Sequence, residues 1–250
     1  MDNHAIIETR GLMKNYNHKI AVDHLSFKVD QGEVFGFLGP NGAGKTTTLL
    51  MLLGLSQPSG GSARVCGLDP VRQAREVKRV VGYLPENVGF YGDLDAVQSL
   101  EYIANLNGMM KGEALKRIHE VLEIVGLLQD AHKKVTAYSR GMKQRLGIAE
   151  VLLKDPTLLF LDEPTQGLDP DGAVRFIEFI QSLNRDRKIT VLVSSHNLYQ
   201  VQKISHRVGI MIAGKMVAEG SIEALAKEKL GVGEERYSLE EIYMKYFQEV

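Results

Sequence analysis

Residues 39–46 read Gly-Pro-Asn-Gly-Ala-Gly-Lys-Thr, and this stretch decides the fold of the 250-residue chain. It matches every fixed position of the pattern G-x-x-x-x-G-K-[ST] and follows the apolar run Val34–Leu38, which predicts a strand. Residues 47–55 are predicted to be helical. Glycines let the backbone approach phosphate oxygens, and a helix start adds the positive end of its dipole. The stretch therefore predicts a nucleotide triphosphate site.

Two side chains in this stretch have distinct predicted roles. The ammonium of Lys45 is suited to the outer phosphates, and the hydroxyl of Thr46 is suited to ligate magnesium. The other residues expected to line the triphosphate are Gly39, Pro40, Asn41, Gly42, Ala43, Gly44 and Thr47. A glycine-rich turn that binds nothing could join a strand to a helix, but it would not need Lys and Thr at these two positions.

Composition bounds the remaining possibilities. Thirty basic and thirty-one acidic residues leave no global basic field, so we expect no nucleic-acid partner. Cys66 is the only cysteine, which excludes an intrachain disulfide, and the first residues lack the features of a signal peptide. No run approaches the roughly 18 apolar residues of a spanning helix. We expect a cytoplasmic chain that works at a membrane only through another subunit.

Apolar periodicity predicts an α/β fold. Short apolar or alternating runs predict strands at residues 6–9, 21–29, 34–38, 158–161 and 190–194. Helical spacing predicts an inserted helical block over about 95–154. It also predicts a helix at 172–183 between the last two strands, and a strand–helix–strand order implies a parallel sheet.

The C-terminal part carries a hairpin signal and a helix signal. Runs 208–212 and 215–218 flank Ala213-Gly214, which predicts a hairpin. Ser238 and Glu241 have the spacing of a capping box for a last helix over 239–250. The apolar residues predicted to share one face of this helix are Leu239, Ile242, Tyr243, Tyr246 and Phe247.

A second chemical pattern follows the apolar run 158–161, which delivers Asp162 and Glu163 to the carboxyl end of a predicted strand. Asp162 is suited to hold magnesium, because this hard cation prefers oxygen ligands. Glu163 is suited to polarise an attacking water as a general base. Alone, the pair would more often be the solvated start of a loop, but its occurrence with the phosphate loop favours the catalytic interpretation.

A third pattern, Tyr138-Ser139-Arg140-Gly141-Met142-Lys143-Gln144-Arg145, resembles the signature of ATP-binding cassette (ABC) proteins. Ser139 and Gly141 fall on its serine and second glycine. Ser139 also fits a simple helix N-cap, and the two interpretations agree, because that helix start would face a phosphate. Further cassette elements are Tyr16, the segment Gly82-Tyr83-Leu84-Pro85-Glu86, the triplet Gly167-Leu168-Asp169, and His196. The chain resembles an ABC transporter ATPase over essentially its whole length.

This resemblance implies a single ABC nucleotide-binding domain over 1–250. It implies a P-loop NTPase core with a parallel sheet, an N-terminal antiparallel β subdomain and an inserted α-helical subdomain. The expected boundaries are 1–85 and 156–220 for the strand-rich ATP-binding core, 86–155 for the helical signature subdomain and 221–250 for a C-terminal helical extension.

The resemblance also implies residue roles, with ATP and Mg²⁺ as cofactors. Glu163, His196 and Lys45 would be catalytic, and Tyr16 would stack on adenine. Glu86 would join Thr46 and Asp162 at the metal. Two cassettes, expected to be a homodimer, would pack head to tail. Ser139 and Gly141 of one chain would then reach ATP on the other, with Asp169 and Arg140 at the dimer seam.

Three positions depart from the common cassette pattern. Glu86 stands where glutamine is usual, Arg140 replaces the first signature glycine, and Met142 replaces the signature glutamine. Glu86 adds a negative charge near the phosphates, whereas Arg140 brings a positive charge from the other chain, so we expect partial compensation. On this basis Glu86→Gln should leave a working ATPase.

Finer resemblance is to cassette ATPases that serve separate membrane permeases of the ABC-2 type. Within that subgroup the chain is similar to the ATPase subunit of the copper-handling transporter for nitrous oxide reductase maturation. The resemblance implies a peripheral subunit on the cytoplasmic face of the cell membrane. Val88, Phe90 and Tyr91 either pack inward or receive a cytoplasmic permease helix.

Other classes fit the sequence less well. A kinase or small GTPase would share the phosphate loop but has no role for residues 139–145. A non-transport cassette ATPase, acting as a switch on a macromolecular partner, is the alternative that the sequence leaves open.

Overall fold

The computed structural model describes residues 5–17, 19–230 and 238–248, whose strands lie in two sheets. The strands in chain order are β1 (Ala5–Tyr16), β2 (Lys19–Leu25), β3 (Lys28–Asp30), β4 (Val34–Leu38), β5 (Gly60–Val65), β6 (Val81–Leu84), β7 (Leu158–Asp162), β8 (Thr190–Ser195), β9 (Arg207–Ile212) and β10 (Lys215–Gly220). In the first sheet β1 pairs antiparallel with β2, β3 and β5. The second has the order β10-β9-β4-β8-β7-β6 and is parallel except for the β9–β10 pair.

Helices cover the second sheet and form a separate block. In chain order they are α1 (Lys45–Leu52), α2 (Ala74–Val80), α3 (Ala96–Leu106), α4 (Lys111–Ile124), α5 (Arg140–Leu152), α6 (Pro170–Arg187), α7 (Leu198–Ile204), α8 (Ile222–Leu230) and α9 (Leu239–Gln248). Helices α3, α4 and α5 pack on one another and form the block predicted over 95–154. Across the described ranges, every helix is too short or too polar to span a membrane.

The core strands are buried on both faces, which explains their continuous apolar sequence. Between the sheets, the Phe27 ring stacks on Phe35 and Phe37, with centroids 5.7 and 5.5 Å apart. On the opposite face, α7 approaches β4 so closely that a Cβ on Gly36 would collide with Val201. The two sheets and the helices confirm the predicted α/β fold class.

The N-terminal strands differ from the prediction. The strand expected over 21–29 is two strands, β2 and β3, which pair with different parts of β1. Between these parts of β1, Gly11 has a φ of +55°, and its N–H donates to Ser26 Oγ over 2.8 Å in place of a ladder hydrogen bond. The strand expected over 6–9 continues to Tyr16, which therefore ends β1. Strand β5 was not predicted because its residues are mostly polar or glycine.

Two helices have different bounds from those predicted. The helix expected over 47–55 is α1, which starts at Lys45 and ends at Leu52. The helix expected over 172–183 is α6, which begins at Pro170 because the Asp169 side chain accepts from the Gly172 N–H and caps it.

The C-terminal predictions hold in most details. Strands β9 and β10 pair through Ala213-Gly214, both with positive φ, as the hairpin signal predicted. The Ser238–Glu241 capping box is present, with hydrogen bonds of 2.9 and 3.2 Å. The predicted end of the last helix at 249–250 lies outside the described residues. Of the residues predicted to share one apolar face, Leu239, Ile242 and Tyr246 are buried, whereas Phe247 is 46% exposed and stacks on Tyr243.

Candidate functional site

The loop 39–44 connects β4 to α1 at the carboxyl edge of the parallel sheet. Gly44 has a φ of +106°, and a Cβ there would collide with the carbonyl oxygen of Ala21. A Cβ on Gly39 would likewise collide with the carbonyl oxygen of Met211. Only glycine therefore fits these two positions, and the backbone is free to curl tightly ahead of the α1 N-terminus.

Lys45 lies inside this curl and is 6% exposed. Its Nζ donates to the carbonyl oxygens of Gly39 and Pro40, over 2.6 and 3.3 Å. It also lies 3.5 Å from Oε1 of Glu163, which comes from the end of β7. The fold thus brings the predicted phosphate-binding cation beside the predicted general base.

Asp162 is held by two hydroxyls at the end of β7. Thr46 Oγ1 donates to its Oδ2 over 2.9 Å, and Ser194 Oγ donates to its Oδ1. Asp162 is 2% exposed. Burial, together with the nearby negative charge of Asp162, raises the pKa of Tyr83 to about 12, so this phenol stays neutral.

The Thr46 hydroxyl and the Asp162 carboxylate fit a magnesium ion. A hydroxyl and a carboxylate in contact are oxygen ligands of the kind that Mg²⁺ takes, while phosphates and waters supply the remainder. The described residues contain no group of three or more His, Cys, Asp or Glu side chains placed around one metal. A hydroxyl beside one carboxylate suits an ion that arrives with a phosphate ligand.

Glu163 has an unusual backbone and a well-fixed carboxylate. Its φ is +47°, in the left-handed region, and its N–H donates to Ser194 O over 3.0 Å. Oε2 accepts from Ser195 Oγ and the His196 N–H, both at 3.3 Å, and lies 2.9 Å from His196 Nδ1. Oε1 is buried and accepts no hydrogen bond. An orphaned carboxylate oxygen at the edge of a pocket can take a proton from water.

A pocket of about 270 Å³ gathers most of the predicted ATP site. The residues predicted from the sequence that line it are Tyr16, Pro40, Asn41, Gly42, Ala43, Gly44, Lys45, Thr46, Thr47, Glu86 and Glu163. Tyr16 is 46% exposed, and its ring is restrained by the Lys14 ammonium, 4.7 Å from the centroid. His196 joins the site through its Nδ1, which lies 2.9 Å from Glu163 Oε2.

A second pocket, of about 440 Å³, gathers the signature residues. Those predicted from the sequence are Ser139, Arg140, Gly141 and Asp169. Ser139 caps α5, because its Oγ accepts from the Met142 N–H over 3.2 Å. The Arg140 guanidinium lies against Gly167, where a Cβ would collide with it. The two pockets share no lining residue, so within one chain Ser139 and Arg140 line a different pocket from Lys45.

Several residues in or beside the two pockets were not predicted from the sequence. Ser194 and Ser195 hold the two carboxylates, and their position directly before His196, at a strand end, was a usable signal. Lys19 lines the first pocket and Arg175 lines the second, with no local sequence signal, whereas Arg145, which also lines the second, ends the signature-like stretch. Met142, in place of the signature glutamine, packs against the helical core.

The chain is similar to known proteins over most of its length. Residues 22–166 match the model of the ABC transporter family. The bacitracin transport ATP-binding protein BcrA of Bacillus licheniformis is 46% identical over 223 residues, covering 89% of this chain and 72% of that protein. The linearmycin resistance ATP-binding protein LnrL of Bacillus subtilis is 37% identical, covering 87% and 70%.

Solved structures agree with these matches. The structure of an ATP binding subunit of an ABC transporter superposes with a TM-score of 0.84 at 26% identity, covering 97% of this chain and 99% of that one. The family expected from the signature and phosphate loop is confirmed. The chain belongs to the ABC transporter family and is an ATP-binding, ATP-hydrolysing subunit of that family.

Proposed function

We propose that this chain powers a separate ABC-2 type membrane permease that exports an antibiotic. The observation that carries the proposal is the meeting of Lys45, Thr46, Asp162 and Glu163 at one edge of the parallel sheet. Such an edge, with a glycine loop and a helix start, suits a nucleotide triphosphate. The match to BcrA supports a peptide antibiotic of the bacitracin type as cargo.

The residues divide the chemistry between them. The loop amides and the Lys45 ammonium bind and orient the phosphates, with Tyr16 at the adenine. Thr46 and Asp162 hold Mg²⁺, which when bound neutralises phosphate charge, and Glu86 lies on the same pocket. Glu163 takes the proton of the attacking water at Oε1, which accepts no hydrogen bond, and His196 fixes Oε2.

A second copy of the chain completes the site in this proposal. The signature pocket shares no lining residue with the phosphate-loop pocket, so we place Ser139 and Gly141 against ATP that is bound to the second copy. Head-to-tail pairing of two copies places each signature helix start over the partner's triphosphate. Asp169 and Arg140 line the same pocket and would lie at this seam.

The loop after Glu86 is the proposed permease contact. Val88 and Phe90 pack against the helical core, which is the inward alternative. Tyr91 points outward, is 64% exposed, and meets the 45% exposed Tyr102 edge to face at 5.7 Å. This aromatic pair would hold a cytoplasmic helix of the permease and so keep the chain at the cytoplasmic face of the membrane.

A substitution can test this contact without disturbing the core. Because Phe90 packs inward, a charge there would perturb folding, so Tyr91→Asp is the cleaner probe. We expect it to abolish copurification of the permease and to leave ATP affinity unchanged. Val71→Asp, at a 48% exposed residue between β5 and α2, is the matched control. Full permease recovery with Tyr91→Asp would contradict the contact.

The proposed cargo is tested by identifying the membrane protein that copurifies with this chain. The Glu163→Gln chain is purified with ATP from mildly solubilised membranes, and its partners are identified by mass spectrometry. An ABC-2 permease with antibiotic-export activity supports the proposal. A permease associated with nitrous oxide reductase maturation would instead establish the copper-handling role. Soluble partners alone would establish the non-transport switch.

A further inference from the structure

A ring of hydrogen bonds surrounds the pair Glu163 and His196. Glu163 Oε2 accepts from Ser195 Oγ over 3.3 Å. The same hydroxyl oxygen accepts from the Asn197 N–H over 2.9 Å. The Asn197 Oδ1 in turn accepts from the Gln200 N–H over 3.1 Å, which caps α7. The segment that carries His196 is therefore tied to the first turn of α7.

The ring closes through one side-chain pair. Thr165 Oγ1 donates to Oε1 of Gln200. Thr165 lies two residues after Glu163, is 7% exposed, and belongs to the loop that joins β7 to α6. The Gln166 N–H donates to the Glu163 carbonyl oxygen over 3.1 Å and closes the turn that contains Thr165. The pair thus links the segment after Glu163 to the helix after His196.

This link matters because the Glu163 backbone is strained. A left-handed φ of +47° is costly for a residue with a Cβ, so surrounding contacts must hold it in place. The orientation of the carboxylate depends on Ser195 and His196, which stand at the end of β8. Any relative shift of the two segments would change the distance between Glu163 and His196.

We propose that Thr165 and Gln200 form a positioning clasp that sets the geometry of Glu163 and His196 for hydrolysis. This inference rests on the proposed function. Neither residue lines the pocket that holds Lys45 and Tyr16, so the clasp acts on turnover and not on ATP binding. Its loss lowers kcat and leaves the Kd for ATP unchanged.

The test compares ATP turnover and ATP affinity in purified full-length variants. Thr165→Val and Gln200→Leu each remove the hydrogen bond at similar volume, and we expect kcat to fall by about fivefold to tenfold. Gln200→Glu and Thr165→Ser keep the acceptor and the donor, so both should stay within about twofold of wild type. The double variant should lose no more than either single variant, because both remove one interaction.

The control is Gln181→Leu. Gln181 Nε2 donates to the Lys203 carbonyl oxygen over 2.8 Å and so holds the far end of α7, outside the ring. We expect its kcat to be unchanged. An equal loss of kcat in this control, or a weakened Kd in the clasp variants, would show a merely structural role and overturn the proposal.

Two further outcomes separate the clasp from the proposed function. Normal turnover in Gln200→Leu, with an active wild type, overturns the clasp alone. A wild type that hydrolyses no ATP overturns the proposed function and the clasp with it. If Gln200→Leu does not fold, Thr165→Val decides, because a normal kcat in that variant also overturns the proposal.

Discussion

Glu163→Gln is expected to separate ATP binding from ATP hydrolysis. The amide keeps the shape of the carboxylate but cannot accept a proton from water. Oε1 of Glu163, which is buried and accepts no hydrogen bond, is the oxygen proposed to take the proton. Loss of a general base costs about 10²–10⁴ in rate, which corresponds to about 3–5 kcal/mol in the activation free energy.

The affinity for ATP should stay the same or increase in Glu163→Gln. Lys45 Nζ and Glu163 Oε1 are 3.5 Å apart and both nearly buried, so their attraction is about 5 kcal/mol at an effective dielectric constant of about 20. Desolvation offsets most of this attraction. Removing the carboxylate charge leaves Lys45 freer to turn to phosphate oxygens. We therefore expect a Kd for ATP that is equal to the wild-type value or up to about tenfold lower.

The assay measures phosphate release, ATP Kd by calorimetry, and mass by sedimentation with ATP. The control is Glu178→Gln, which makes the same change of charge at an exposed position on α6 and should leave all three unchanged. Accumulation of a dimer in Glu163→Gln with ATP would support the shared site. Turnover within about tenfold of wild type refutes the role of Glu163 as the base. Weaker ATP binding refutes the argument about Lys45.

Three other outcomes are expected. Arg140→Gly should weaken ATP-driven pairing measured by sedimentation, since the guanidinium lies in the signature pocket; unchanged pairing would remove Arg140 from the seam. Phe160→Ala should lower the free energy of unfolding, measured in urea, by about 3–5 kcal/mol, because the Phe160 ring in β7 is wholly buried. A loss below about 1 kcal/mol would mean that neighbouring side chains fill the space left by the ring. Burial raises the pKa of Glu150 to about 7, above its ordinary 4.5, so the folded protein holds this proton more tightly than the unfolded chain. The stabilisation is complete below about pH 4.5 and is lost as pH rises through about 7, by up to about 3 kcal/mol. Urea unfolding at pH 5 and pH 8 should show this fall in the wild type but not in Glu150→Gln, and parallel curves would contradict it.

The sequence predicted the elements whose apolar pattern or turn residues all lie within one continuous segment. The buried strands β4, β7 and β8 have unbroken apolar runs, and the β9–β10 hairpin has its turn residues in place. It failed where a partner strand decides the structure. Strands β2 and β3 are separated because they pair with different parts of β1, and the polar strand β5 takes its place by pairing with β1.

The candidate site shows the same division. Residues 39–46 and the pair Asp162 and Glu163 are local patterns that follow strands, so the sequence revealed them. Lys19 and Arg175 lie in the pockets without any local pattern. The apolar face of α9 was predicted, but which of its residues contact α7 and α8 was not, and Phe247 remains exposed.

The sequence by itself determined the chemistry available to this protein, because phosphate loops, capping residues and strand-end carboxylates act through neighbours in the chain. Only the tertiary structure decided which of these groups meet. The order β4-β8-β7 places Lys45 beside Glu163 and Ser194 beside Asp162, and the packing of α7 brings Gln200 to Thr165. Such contacts join segments far apart in the chain, and they depend on strand order and helix packing, which no single segment encodes.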